Sequence, residues 1–259
     1  MIKVLHRFFY AWLFLTKLPA PPMPKATKED WGRIAPYFVL IGFILGFILY
    51  FFSRFFTSHK LPVMFSALLI LLIWNLITGS LHLDGLMDTF DGINCQDKDR
   101  KVEAMKDSRI GAFGAIGGIF VILFKLIALC TILLNKLVFV LVISLPLARL
   151  LCVYSFTFLS QNQKSGQSSS LLLSGVKKPA DFLVNLFSFI VLFLCCYFTF
   201  HLRTFYVFFI FICFILSLFW AYWLNNHFKG HTGDTFGALI ELSEVTVLSL
   251  GVILRNYLL

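Results

Sequence analysis

Hydrophobic segments of about twenty residues alternate with short polar segments along most of this chain. A helix that crosses a lipid bilayer needs about 20 mostly apolar residues. By that criterion seven segments are predicted to cross a membrane: 34–52, 61–78, 113–134, 137–159, 182–200, 205–224 and 236–254. The last contains Glu241 and Glu244, so we expect it either to be partly re-entrant or to turn these acids toward the protein interior. The pattern predicts an all-α, polytopic integral membrane helix bundle that forms a single domain over residues 1–259.

Two further segments are predicted to form structures other than a membrane span. Residues 2–18 are apolar but interrupted by basic residues, and they carry no cleavage site typical of a signal peptide. We expect an amphipathic helix in the membrane interface within an N-terminal segment 1–33, ended by the proline-rich run 19–24. Residues 160–181 are rich in Ser and Gly and are predicted to form a mobile polar loop, which could be a lid but is interpreted as functionally idle.

Composition supports a lipid environment, and charge adds an orientation. Hydrophobic residues make up 59% of the chain and charged residues 14%, against about 25% charged in an average soluble domain. With the N-terminus inside, the inside segments carry 15 Lys and Arg and the outside segments 5, which predicts a cytoplasmic N-terminus and places 79–112, 160–181 and 225–235 on the cytoplasmic side. The net charge of +9 is therefore assigned to orientation and anionic lipid, with no nucleic-acid partner. The six cysteines form no metal-binding or disulfide pattern.

Three aspartates between the second and third predicted spans are the first candidate site. Asp84, Asp88 and Asp91 are spaced so that a helix would carry them on one face, and apolar residues lie between them. Carboxylates in this arrangement repel one another unless cations separate them, and oxygen ligands suit Mg²⁺ or Mn²⁺ together with substrate phosphates. A solvated acidic loop is the alternative, and it fits the nearby Asp97 and Asp99 better than the triad.

A basic motif follows the triad: Lys106, Asp107, Ser108 and Arg109 precede a glycine-rich segment. Basic side chains next to a glycine-rich helix start can bind phosphate through charge and backbone N–H groups. The alternative is that the bases orient the next span and that the glycines allow close helix packing.

A second polar cluster lies within residues 225–244, at the start of the last predicted span. It comprises His231, Thr232, Gly233, Asp234, Glu241 and Glu244. Acids inside an apolar span are costly, so a cation or buried hydrogen bonds must compensate them. Lys125 and Arg149 lie within other spans and are candidate salt-bridge partners, an interpretation weighed equally with a direct metal role.

These motifs together resemble a known family. The runs HLDGLMDTFDG, MKDSRIGAFG and GHTGDTFGALIELSE, in this order, and the N-terminal FLTKLPAPP closely resemble the cobalamin synthase family, the adenosylcobinamide-GDP ribazoletransferases. Ser80, where glycine is expected, and Lys17, where arginine is usual, are the two visible departures.

The resemblance implies an enzyme of the bacterial cytoplasmic membrane that depends on Mg²⁺ or, in its place, Mn²⁺. Its substrates would be adenosylcobinamide-GDP and α-ribazole or its 5′-phosphate, with GMP released in a last step of cobalamin assembly. A homo-oligomer, or association with other enzymes of that pathway, is also expected.

The resemblance also assigns roles. It gives catalytic and metal-binding roles to Asp84, Asp88 and Asp91, with Asp234 as a further metal ligand. It gives substrate or phosphate binding to Lys106, Asp107, Ser108, Arg109, Thr232 and Gly233. We further expect His82 and His231 to bind substrate or phosphate, and Glu241, Glu244 and Arg149 to support the site.

Two alternatives stay open from the residues alone. A CDP-alcohol phosphotransferase or a prenyltransferase also uses aspartate-rich helices with Mg²⁺, although the triad lacks the usual phosphotransferase spacing. A transporter could use intramembrane acids as cation sites, but the chain shows no paired halves with matching interruptions.

Overall fold

The structure is a computed structural model that describes residues 2–97, 100–107, 109–162 and 179–258. Over these ranges the chain contains helices and no strand, apart from one isolated bridge between Gln161 and His231. The predicted all-α class is therefore confirmed. Most of the predicted polar loop 160–181 lies outside the described residues.

Twelve α-helices follow one another in the described part of the chain. They are α1 (Ile2–Leu15), α2 (Lys28–Trp31), α3 (Phe38–Ser58), α4 (Val63–Thr78), α5 (Leu81–Asn94), α6 (Lys101–Ala104), α7 (Ala112–Leu134), α8 (Val138–Phe158), α9 (Ala180–Thr199), α10 (Phe205–His227), α11 (Gly233–Ile253) and α12 (Arg255–Leu258). A short 3-10 helix, Ala35–Tyr37, leads into α3.

Six helical stretches are long and apolar enough to cross a membrane: the run ending in α3, and α7, α8, α9, α10 and α11. A seventh crossing is counted if α4 and α5, which are bent by 88° relative to each other, form one broken span. Each predicted span thus corresponds to a helix, and the second is the exception in length because α4 has only 16 residues. The number, length and apolar composition of these helices identify the chain as a multi-pass membrane protein.

The bend between α4 and α5 comes from two consecutive residues in the left-handed region. Gly79 has φ +64° and Ser80 has φ +54°, and their N–H groups donate to the carbonyls of Leu76 and Asn75. Glycine adopts this conformation readily, whereas a residue with a Cβ does so at some cost, which is a physical reason to expect glycine at position 80. Because of this turn, α5 runs almost perpendicular to α4 and lies across one end of the bundle.

Helix α8 is the centre of the bundle, because nearly all of its residues are buried. It packs against α3 through two glycines. A Cβ on Gly42 would lie 2.6 Å from the Cα of Pro146, and one on Gly46 would lie 2.7 Å from the carbonyl oxygen of Val142. Small residues allow two helix backbones to approach closely, which is the common way helices associate in lipid.

The connecting segments fall on two opposite faces, as the base count predicts. On one face the Lys17 N–H donates to the Ile77 carbonyl at 2.8 Å, and the His231 N–H donates to the Ser160 carbonyl at 2.9 Å. On the other face the four segments predicted to lie outside meet around one cavity, lined by residues 54, 135–136, 200–203 and 258 among others. The grouping of segments is confirmed, and the identity of the cytoplasmic face stays a prediction.

The predicted N-terminal helix is confirmed as α1, which ends at Leu15, before the proline run. It buries Tyr10, Ala11 and Leu15 against the bundle and exposes Ile2 among other apolar side chains. Its location in a membrane interface stays a prediction.

Candidate active site

Helix α5 carries the three aspartates on one side. Asp84 is exposed and Asp88 and Asp91 are half-buried, whereas Gly85 and Thr89 point into the protein. The helical spacing on which the triad was interpreted is therefore present in the structure. The segment predicted as a catalytic loop over 79–112 is, at this end, a helix.

A glycine in α5 brings the second polar cluster to the first. A Cβ on Gly85 would lie 2.9 Å from the carbonyl oxygen and 3.0 Å from the Cα of Asp234. On α11, Gly237 similarly faces the backbone of His82 at 3.1 Å. The start of α11 thus lies directly against α5, and Asp234 joins Asp84 and Asp88 in one acidic cluster at the end of the bundle.

The electrostatics of this cluster show how crowded the carboxylates are. Burial, and after it the negative charges of Asp84, Asp234 and Asp91 in that order of importance, together raise the pKa of Asp88 to about 7. The ammonium of Lys106 acts on Asp234 with the opposite sign. A cluster of this kind favours a bound cation, because a cation relieves the repulsion between neighbouring carboxylates.

Asp91 has a different task from the other two acids of the triad. Its two carboxylate oxygens accept hydrogen bonds from the backbone N–H groups of Gly111 and Gly114, each at 2.8 Å. These N–H groups belong to the start of α7, where an anion is stabilised by the unpaired donors and by the helix dipole. The structure therefore presents Asp91 as the cap that fixes α7 to α5, which departs from its predicted role as a metal ligand.

The glycines after the basic motif are explained by packing. A Cβ on Gly114 would clash with the capping carboxylate, one on Gly117 would lie 2.7 Å from the Phe90 ring, and one on Gly118 would lie 3.0 Å from the Met87 side chain. The prediction that this helix start offers free N–H groups to phosphate is wrong for Gly111 and Gly114, because Asp91 already occupies both.

The basic motif itself remains accessible. Arg109 donates from Nε and Nη2 to the two carboxylate oxygens of Asp107 at 3.1 and 2.8 Å, and these bonds hold the pKa of Asp107 at about 2. The Arg109 side chain is nevertheless 88% exposed, and Lys106 is exposed too. Ser108 lies outside the described residues. Both side chains are thus exposed to solvent close to the start of α7.

Three predicted substrate-binding residues are inside the protein instead. His82 is 5% exposed and His231 is fully buried against Phe236, with ring centroids 4.8 Å apart. Thr232 is the N-cap of α11, where its hydroxyl accepts from the Thr235 N–H at 3.2 Å. Burial lowers the pKa of His231 to about 4, so its ring is neutral. His231 and Thr232 contact Thr235 and so fix the start of α11, and among residues 231–233 only Gly233 is exposed.

The acids deeper in α11 form a buried ion cluster. Lys125 Nζ lies 2.7 Å from a Glu241 carboxylate oxygen and 2.6 Å from one of Glu244, and Arg149 pairs with the other Glu244 oxygen. The ammonium of Lys125 also lies 4.3 Å from the centre of the Trp74 ring. The predicted salt-bridge partners are confirmed, and the two positive and two negative charges balance inside the membrane domain.

The donor set of the acidic cluster fits a divalent cation that also binds the substrate. Within the described ranges, no three His, Cys, Asp or Glu side chains converge closely enough to hold a metal by themselves. Mg²⁺ commonly binds through one or two carboxylates and completes its coordination with substrate phosphates and water. The neighbouring carboxylates of Asp84, Asp88 and Asp234 meet that requirement.

The sequence interpretation overlooked the residues that assemble the site. Gly85 and Gly237 allow α5 and α11 to touch, and Asp91 locks α7 to α5. One signal was available: Gly111 and Gly114 are spaced as the first residues of a helix with no capping side chain of its own. Such a helix start needs an acceptor from elsewhere in the chain.

Comparison with known proteins agrees with the resemblance. The family model described as cobalamin-5-phosphate synthase matches residues 7–252. A protein named adenosylcobinamide-GDP ribazoletransferase from Thermoanaerobacter pseudethanolicus is 32% identical, covering 95% of this chain and 97% of its own. Relatives of the same name from Synechococcus sp. and Clostridium botulinum are each 33% identical, covering 92% and 96% of this chain and 92% and 98% of their own. No solved structure matches.

Proposed function

The chain belongs to the cobalamin-5-phosphate synthase family, and we propose that its acidic cluster is where the phosphoryl-linked adenosylcobinamide group passes from adenosylcobinamide-GDP to α-ribazole. A hydroxyl oxygen of α-ribazole, or of its 5′-phosphate, bonds to the corrin-side phosphorus of the pyrophosphate. The bond from that phosphorus to the bridging oxygen breaks, GMP leaves, and the hydroxyl proton is taken up. The observation that carries the proposal is the approach of Asp234 to Asp84 and Asp88 across Gly85.

Transfer of a phosphoryl-linked group needs charge neutralisation and in-line positioning more than covalent catalysis. Asp84, Asp88 and Asp234 would hold Mg²⁺ or, in its place, Mn²⁺. When bound, the metal would neutralise the pyrophosphate oxygens and orient them for attack. One carboxylate of the cluster accepts the proton of the attacking hydroxyl.

The remaining polar residues bind and position. Lys106 and Arg109, both exposed beside the cluster, offer positive charge to the phosphate of the departing GMP. Asp91 keeps α7 against α5, so that the basic motif before α7 stays near the acids. The buried ion cluster of α11 fixes the direction in which Asp234 points.

The location proposed for this chemistry is the cytoplasmic face of the bacterial cell membrane. It is the face that carries the N-terminus and most of the basic residues. Both substrates are polar. A site at the end of the bundle is open to water, so the substrates can reach it without entering the lipid.

A direct assay tests the proposal. Full-length protein in membranes is given adenosylcobinamide-GDP, Mg²⁺ and either α-ribazole or its 5′-phosphate, and GMP and the cobalamin product are measured by mass spectrometry. We expect product with at least one acceptor, loss of product when EDTA is added, and recovery when Mg²⁺ or Mn²⁺ is restored.

Variants then test the residues. Asp84→Asn, Asp88→Asn and Asp234→Asn should each lower turnover by about a hundredfold or more while the protein still folds, because each removes one charge from the cluster. Asp97→Asn, a nearby exposed acid, is the matched control and should retain normal turnover. The assignment of the site would be wrong if all three cluster variants turned over as fast as this control.

A further inference from the structure

A cavity lies at the end of the bundle opposite the acidic cluster. It has a volume of about 390 Å³ and is formed where the last part of α3 and the segments after α7 and α9 meet the start of α8 and α10. Arg54, Lys136, His201 and Arg203 line it, together with Tyr50 and Tyr206. Nothing in the proposed reaction uses this cavity.

The charged side chains that line this cavity are all basic. The four segments that meet on this face, 53–60, 135–136, 201–204 and 255–259, contain five Lys and Arg and no Asp or Glu. The side chains of Arg54, Lys136 and Arg203 are exposed, and none of the ion pairs in the described part of the chain includes them. A cavity with such a rim attracts an anion.

The floor of the cavity is aromatic. Phe139 and Tyr206 are buried there with ring centroids 5.9 Å apart, and Phe200 lies 5.7 Å from Phe139 and 5.8 Å from Tyr50. Aromatic side chains of this kind are enriched where a membrane protein meets the headgroup region. The combination of a basic rim and an apolar floor suits a ligand with a charged head and an apolar body.

Helix dipoles account for only part of the positive charge. Lys136 and His201 follow the C-termini of α7 and α9, where a base is favoured in any helix. Arg203, however, lies two residues before α10 begins at Phe205, where the dipole disfavours a cation. The helix dipole therefore does not explain why a base stands at position 203.

We propose that this cavity binds the phosphate of an anionic phospholipid, with the acyl chains leaving along the apolar surface of the bundle. Arg54 would contact the phosphate from the last part of α3 and Arg203 from the segment between α9 and α10, so that the bound lipid ties the ends of these three helices together. Basic pockets between membrane helices bind anionic headgroups elsewhere by the same chemistry. The proposal is independent of the transferase reaction.

The test compares lipids with the same acyl chains. Full-length protein in maltoside detergent is titrated with dioleoylphosphatidylglycerol, with dioleoylphosphatidylcholine and with inorganic phosphate, and lipid retention is read by native mass spectrometry and melting temperature. We expect retention and a raised melting temperature with the anionic lipid only. Arg54→Gln/Arg203→Gln should weaken this binding by about thirtyfold. Each base near an anionic headgroup contributes about 1 kcal/mol, and the loss of two such contributions corresponds to that change in affinity.

Lys60→Gln/Arg255→Gln is the matched control. It removes two charges from the same face at positions that do not line the cavity, and it should weaken binding by less than about threefold, since exposed charges away from the ligand are screened. If both double variants weakened binding equally, loss of surface charge alone would explain the effect, and the proposal would be wrong. If inorganic phosphate saturated the cavity and the anionic lipid were not preferred, the ligand would be a free phosphate and not a phospholipid.

Discussion

Glu244 offers the sharpest test of how the membrane domain holds its second acidic segment. It is fully buried in α11, accepts from Lys125 Nζ at 2.6 Å and pairs with Arg149, which is also fully buried. Glu244→Gln keeps the shape of the side chain but removes one of the two negative charges that balance these two cations. The variant leaves a buried guanidinium without its counter-charge.

The expected cost follows from that imbalance. Breaking a buried ion pair by removing one partner typically destabilises a protein by about 3–5 kcal/mol, because a desolvated charge is left unpaired. In a chain of this size that loss corresponds to a fall in melting temperature of roughly 10 °C. Turnover measured well below the melting temperature should change by only a few-fold, because Glu244 does not belong to the acidic cluster.

The measurement is the melting temperature of purified protein in detergent, followed by intrinsic fluorescence. Glu29→Gln is the control, since Glu29 also pairs with two bases but its side chain is 64% exposed. An exposed pair contributes less than about 1 kcal/mol, so this variant should melt close to the unmodified protein. If Glu244→Gln melted as late as Glu29→Gln, the buried ion cluster would not be what fixes α11.

A rescue variant separates charge balance from packing. Glu241→Gln alone leaves Lys125 with one carboxylate instead of two, whereas Glu241→Gln/Lys125→Met removes one charge of each sign. The double variant should therefore melt later than the single one. The opposite order would mean that Lys125 stabilises the bundle by contacts other than its ion pairs.

Three further predictions concern the site and the topology. Gly114→Ala should lower both melting temperature and turnover, because its Cβ would displace the carboxylate that caps α7, while Gly118→Ala meets a flexible methionine side chain and should have a smaller effect; equal losses would contradict the capping role. Without divalent metal, the contribution of Asp88 to stability should fall as pH rises from about 4 to 7, because folded Asp88 has a pKa of about 7 against 3.8 when unperturbed and so binds a proton that the unfolded chain has lost, whereas His231, with a folded pKa of about 4, contributes in the opposite direction. Asp88→Asn should flatten that fall in a melting-temperature series, and an unchanged slope would refute the assignment. In a cysteine-free background, Asp97→Cys should react with an impermeant thiol reagent only from the cytoplasmic side and Arg54→Cys only from outside, and the reverse labelling in intact cells would invert the topology.

Local features of the sequence carried much of the fold. The apolar segments are long enough to cross a bilayer wherever they fold, so their number and approximate limits could be predicted without knowing their neighbours. The charges buried in the spans were equally informative. Because unpaired charges are costly there, Lys125 and Arg149 could be matched with Glu241 and Glu244 before their contacts were known.

The helical spacing of the acidic triad was also predictable, but its division of labour was not. A period along the chain shows that Asp84, Asp88 and Asp91 share a face. It does not show that the N-terminus of α7, twenty residues further on, takes Asp91 as its cap. The same holds for His82 and His231, whose types suggested substrate binding and whose positions are buried.

The sequence by itself thus determined the class of protein, its spans, its two acidic segments and its family, because hydrophobic length, charge spacing and motif order are properties of the chain alone. Only the tertiary structure decided which of these residues meet. The 88° turn at Gly79 and Ser80 lays α5 across the end of the bundle, and Gly85 then admits the start of α11 to within contact of it. Approach through space depends on the missing Cβ of a glycine and on the direction of a turn, and neither can be read from the spacing of residues along one helix.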